Sequence, residues 1–133
     1  MIFPVTTVSA VFLAALLVVL SVRVILGRRD SGVSLGDGGE DRLNRRIRAQ
    51  GNLAEYAPMG ILLTLLAESQ GALTWIVALC AAIFVIGRLS HGYALSFRKS
   101  ASGARVRGMI MTFTGLSLLT IVNLWAVVTN ALQ

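Results

Sequence analysis

Four long apolar runs, separated by three polar connections, constrain this chain more than anything else in it. The first lies within Met1–Leu26 and holds about 20 apolar residues, enough at helical rise to cross a hydrocarbon core about 30 Å thick. Further elements read from Glu40 to Glu68, from Ala72 to Phe97 and from Val106 to Leu132. A lone segment in lipid must satisfy its own backbone, which a helix does and an isolated strand cannot. The expected fold is therefore an all-α membrane protein, a four-transmembrane-helix bundle forming one domain over residues 1–133. With 56% hydrophobic and 14% charged residues, the chain is not an ordinary soluble domain. Its one cysteine, Cys80, and one histidine, His91, give no disulfide framework and no expected metal site.

Charge placement sets the orientation. The first run has no basic residue before it and Arg23, Arg28 and Arg29 after it, the reverse of a signal peptide. It reads as a retained span with its N-terminus outside. If the first and third connections are cytoplasmic, all 12 Lys and Arg lie toward the inner side and both termini lie outside. Trp75 and Trp125 then fall near the outer interface. Such cations suit anionic lipid headgroups, and without a folded soluble domain they exclude nucleic-acid recognition. In the first connection, Gly27 to Gly39, the Gly36-Asp37-Gly38-Gly39 stretch reads as a turn and N-cap. It lacks the Lys-Ser/Thr of a phosphate-binding P-loop.

The second helix carries polar residues into the membrane. Arg48, Asn52 and Glu55 fall at i, i+4 and i+7, one stripe on one face, followed by Pro58 and the apolar run Met59–Leu66. Pro58 removes one backbone hydrogen bond and is expected to kink the helix there. Glu55 lies thirteen residues from Glu68 and Arg88 thirteen from Trp75, so both sit about 20 Å from the outer face. A carboxylate and a guanidinium at one depth should pair or share a ligand; the simplest reading is a salt bridge that fixes helix register. The inner set of Arg48, Gln50, Asn52, Glu55, Tyr56, Arg88, His91, Tyr93, Arg105 and Arg107 offers many donors against one carboxylate, which suits an anionic ligand. Elsewhere Cys80 reads as packed, Thr112, Thr114, Ser117 and Thr120 as interhelical or back-bonding hydroxyls, and Asn123 as helix glue. Gly60, Gly108 and Gly115 favour close helix contact.

The run Arg46-Ile47-Arg48-Ala49-Gln50-Gly51-Asn52-Leu53-Ala54-Glu55-Tyr56-Ala57-Pro58 resembles the signature of the MAPEG family, the membrane-associated proteins of eicosanoid and glutathione metabolism. Gly87-Arg88-Leu89-Ser90-His91 resembles that family's third-helix motif, and Arg105-Val106-Arg107-Gly108-Met109 its bacterial branch. The resemblance implies a homotrimer of left-handed four-helix bundles in the bacterial inner membrane, with glutathione as co-substrate between subunits near the cytoplasmic side. It implies that Arg48, Asn52 and Glu55 hold glutathione, the carboxylate facing its α-amino group and the cations its carboxylates. Gln50, Tyr56, Arg88 and His91 match further contact positions, and Arg28 or Arg29 a loop arginine near the site. Arg105 or Arg107 matches the catalytic arginine, with Arg105 preferred. The family tyrosine four residues after His91 is Leu95 here, so Tyr93, displaced by two, does not simply inherit its role.

The activity this implies is a glutathione transferase or peroxidase acting on hydrophobic electrophiles or lipids that arrive from the bilayer. Two other classes share the features. A non-catalytic lipid-binding or scaffolding member of the same family would share the fold without turnover. A small multidrug-type transporter would use the single intramembrane Glu55 for proton coupling, but cations around that carboxylate would keep it ionised.

Overall fold

The computed structural model describes residues 2–98 and 102–132, with the side chain of Ser102 left aside. Four helices follow in order: α1 Pro4–Ser31, α2 Asp41–Ser69, α3 Thr74–Phe97 and α4 Ser102–Ala131. Each runs antiparallel to the one before, and the four form an all-α membrane bundle. Helices α3 and α4 share the most extensive contact, α2 touches all three others, and among the described residues α1 and α4 do not meet.

Helices α1, α3 and α4 are each long and apolar enough to cross a membrane. Helix α2 is just as long but less apolar, because its N-terminal half carries Arg42, Arg45, Arg46, Arg48, Gln50, Asn52 and Glu55. The polar stripe is what sets it apart. Helix α1 is clothed in exposed aliphatics such as Val11, Val18 and Ile25, as befits a helix facing lipid. Helix α3 is the most enclosed, burying Val77, Cys80, Phe84, Arg88 and His91. Cys80 is packed as expected.

Three helix ends differ from the sequence expectation. Helix α1 continues past Leu26 to Ser31, because nothing breaks it until Gly32 adopts φ 66° and closes a C-cap on the carbonyls of Arg28 and Arg29. Helix α4 begins at Ser102 rather than Val106, so Arg105 is helical and not part of the connection. Residues 99–101 of that connection lie outside the described residues. The N-cap of α2 is Glu40, with no side-chain cap; Asp37 Oδ1 instead accepts the N–H of Gly39 at 3.0 Å within the loop. Helix α2 runs unbroken through Pro58.

Glycines set the helix spacing. A Cβ on Gly115 would lie 2.7 Å from the backbone nitrogen of Phe84, and one on Gly108 2.7 Å from that of His91. Gly87 returns the contact from α3, its Cβ position 2.8 Å from the nitrogen of Thr112. Gly60 on α2 lies directly under the Phe84 ring. Phe84 is 1% exposed and is thus seated between glycines of two helices. Without a hydrophobic drive between helices in lipid, this close approach supplies van der Waals contact that larger residues would prevent.

The end of the bundle where α1 begins and α2 finishes is closed by side chains. Glu68, in the last turn of α2, accepts the N–H groups of Val5 and Thr6 at 3.0 and 2.8 Å and the Thr6 hydroxyl at 2.6 Å. Phe3, the N-cap of α1, offers no side-chain cap, so a carboxylate from α2 satisfies the free amides and meets the positive end of the helix dipole. Asn123 donates to the carbonyl of Leu63 at 2.9 Å and accepts from Gln70 at 2.9 Å, joining α4 to α2 and the turn. The expectation of Asn123 as glue holds.

Candidate functional site around Arg88 between α2, α3 and α4

Arg88 occupies the centre. It is 1% exposed, and its hydrogen-bond partners are all neutral. Nε donates to Thr112 Oγ1 at 2.9 Å, Nη1 to Asn52 Oδ1 at 2.7 Å and to the Asn52 carbonyl at 3.3 Å, and Nη2 to Met109 Sδ at 3.2 Å. The Tyr56 ring lies 5.1 Å from the guanidinium carbon, and Tyr56 meets Phe113 of α4 edge-on at 5.8 Å. Thr112 in turn donates to the Gly108 carbonyl at 2.7 Å, the back-bond expected of it. The cation ties its own helix, α3, to α2 and α4.

The expected Glu55–Arg88 ion pair does not form. Equal depth is satisfied, but azimuth is not: Glu55 lies on the exposed face of α2, whereas Asn52, three residues earlier, points between the helices. The guanidinium has taken the amide instead. Because a guanidinium only donates, Asn52 must turn Oδ1 to Arg88, and its NH2 faces the other way. Asn52 is half-buried on the stripe that also carries exposed Arg48 and Glu55, and its NH2 makes no hydrogen bond among the described residues.

His91 joins the third helix to the start of the fourth. It is buried, and its Nδ1 lies 3.2 Å from the Arg105 carbonyl. A carbonyl only accepts, so this nitrogen carries the proton. The backbone of Arg105 is thus anchored, while its side chain and that of Arg107 are exposed. Near α1, half-buried Gln50 donates to Ser21 at 3.3 Å. Arg28 donates to the carbonyl of Gly36 at 2.7 Å and pins the first connection, and Arg29 is exposed.

Tyr93 stands apart. It is 55% exposed and stacks on Phe97 at 5.4 Å, and Arg23 lies 3.6 Å over the Phe97 ring while bonding Ser96 at 2.9 Å. This cluster belongs to the α1–α3 edge, away from Asn52. Leu95 packs against the core, so the tyrosine displaced to position 93 faces outward.

The residues sequence reasoning brought together therefore divide. Asn52, Tyr56 and Arg88 form one connected cluster, and His91, three residues beyond Arg88 on α3, binds the Arg105 backbone instead. Arg48, Glu55, Arg105 and Arg107 present charge on exposed faces, and Gln50, Arg28 and Tyr93 have partners elsewhere. Sequence reasoning missed Met109 as a partner of Arg88 and, though it read Thr112 as an interhelical or back-bonding hydroxyl, did not name Arg88 as its partner. The i, i+4, i+7 match of Phe84-Arg88-His91 with Gly108-Thr112-Gly115 was the signal for that antiparallel register. No group of His, Cys, Asp and Glu able to hold a metal occurs among the described residues.

The same stretch of chain is shared with known proteins. The MAPEG family model matches residues 6–126. The chain is 39% identical over 121 residues, 91% of its length and of the relative's, to the inner membrane protein YecN of Escherichia coli strain K12. The YecN protein of Escherichia coli O6:H1 matches equally. A bundle of this build, matched over nearly its whole length, belongs to the MAPEG family.

Proposed function

We propose that this protein is a glutathione-dependent transferase, with peroxidase chemistry open to the same site, acting on hydrophobic electrophiles in the bacterial inner membrane. The observation that carries the reading is the orientation of Asn52. Arg88 holds its side-chain oxygen, so the half-buried amide keeps its NH2 free between exposed Arg48 and Glu55 on one stripe of α2. That order of charge suits a zwitterionic tripeptide, with the α-amino group on Glu55 and carboxylate on Arg48 and the Asn52 amide.

In one chain this face is uncovered. A neighbouring copy, as in a homotrimer, would enclose it and bring the exposed Arg105 or Arg107 of one subunit toward the ligand. A thiol of pKa about 8.5 is mostly protonated at neutral pH, and a nearby guanidinium favours the thiolate. The thiolate sulfur then bonds the electrophilic carbon, and the leaving group departs with the electron pair of its own bond. Arg105 is favoured for this role because His91 anchors its backbone. Both termini would be periplasmic, with the site near the cytoplasmic side.

Calorimetry with glutathione on the purified protein tests the binding; no heat of binding would sink the reading. Conjugation of a chloronitrobenzene tests turnover. Loss of rate in Arg105→Ala with binding retained supports catalysis, and binding without turnover in the unaltered protein would favour a lipid-binding member. That second reading draws support from an apolar groove of about 520 Å³ between α1 and α3, lined by Val8, Phe12, Ala78 and Val85.

A further inference from the structure

A second polar feature lies apart from the Asn52 stripe, between the last turn of α1 and the first turns of α2. It is a cavity of about 220 Å³ lined by Asp30 and Ser31 on one side and Glu40, Arg42 and Arg46 on the other. Arg46 is 7% exposed. Its Nη1 donates to the carbonyl of Arg23 at 3.1 Å, but its buried Nε has no partner. A buried donor without an acceptor is costly, and more so for a charged group. Gly27 makes the space: a Cβ there would lie 2.7 Å from Arg46 Nη1.

The start of α2 adds a second set of free donors. Its N-cap, Glu40, supplies no side-chain acceptor, and Asp37 is spent within the loop. The amides of Asp41, Arg42 and Leu43 thus precede the first intrahelical bond, made by Asn44 to the Glu40 carbonyl at 2.9 Å. Helix dipole, Arg42 and Arg46 together favour an anion at the cavity, and a phosphate fits such a cradle. Two carboxylates, Asp30 and Glu40, line the same cavity and would repel a plain anion. They suit an amine attached to it. The cavity lies where the apolar run of α1 gives way to Arg28, with exposed Leu26 one turn toward the membrane from Asp30.

We infer that the cavity between α1 and α2 binds a phosphate ester that carries a primary amine, the phosphate on Arg46 and Arg42 and the amine on Asp30 and Glu40. The headgroup of an ethanolamine phospholipid has this chemistry, with acyl chains descending along Leu26; free phosphoethanolamine has it too. Neither depends on glutathione binding at the Asn52 stripe.

Native mass spectrometry of the full chain, released from detergent after exposure to equal amounts of ethanolamine, glycerol and choline phospholipids with the same acyl chains, tests this. The ethanolamine lipid should be retained over the other two by about tenfold, the scale of one charge-assisted hydrogen bond. Arg46→Met should abolish retention, and Glu40→Gln, at an exposed position, should cut the preference over the glycerol lipid while leaving the fold intact. Displacement by millimolar phosphoethanolamine would assign the ligand to the aqueous pool, and resistance to it would assign the lipid. Equal retention of all three lipids, a preference unchanged in Glu40→Gln, or displacement by inorganic phosphate as readily as by phosphoethanolamine would overturn the proposal.

Discussion

Two glutamates on one helix show how differently the ends of this bundle are used. Glu68 accepts three hydrogen bonds from Val5 and Thr6 and caps α1. Glu55 sits nearly four turns away on the same helix, exposed, with cations near it in the sequence and Arg88 already committed to Asn52. The Glu68 carboxylate is part of the structure. That of Glu55 is left available. A carboxylate in a membrane helix is expensive either way, but only the one whose bonds are made inside the chain is explained by the fold.

The contrast can be broken at four places. Arg88→Ala should have the largest effect, about 3–5 kcal/mol of stability, since it empties a buried site and strands Asn52 and Thr112. Unfolding in mixed micelles measures it; a loss under 1 kcal/mol would mean the cluster does not hold the three helices. Glu68→Ala should cost about 2–3 kcal/mol by uncapping α1, while the folded fraction keeps its affinity for glutathione. Glu55→Ala should change stability by less than about 0.5 kcal/mol, as expected for an exposed residue, and weaken glutathione binding about tenfold by calorimetry. If Glu55→Ala destabilises as much as Glu68→Ala, the distinction between the two ends fails. Arg48→Ala should be the mildest, weakening the same binding about threefold to tenfold with unfolding unchanged.

Much of the architecture was legible because lipid permits few solutions. Run length gave the helices, and the charge pattern of Arg23, Arg28 and Arg29 gave an expected orientation. Spacing on α2 placed Arg48, Asn52 and Glu55 on one stripe. Depth counting then failed on a specific point: it put Glu55 and Arg88 at one level, but whether they meet depends on which way α3 is rotated. That rotation is set by Gly87, Gly108 and Gly115, which let the backbones of α3 and α4 touch and turn Arg88 toward Asn52 and Thr112. The cap on α1 was hidden for a similar reason. Glu68 reads as a turn residue in sequence, and its partners are more than sixty positions away.

Phe84 carries a consequence for how the bundle is put together. Its ring and backbone have room only opposite Gly60 and Gly115, and Arg88 follows one turn later on the same face. A helix pair docked one residue out of step would jam the ring against a bulkier neighbour and leave the guanidinium facing hydrocarbon. Wrong registers are thus penalised twice, by shape and by charge. Assembly in the membrane has a built-in check: the same helix that delivers the cation also carries the gauge that verifies where it has been delivered.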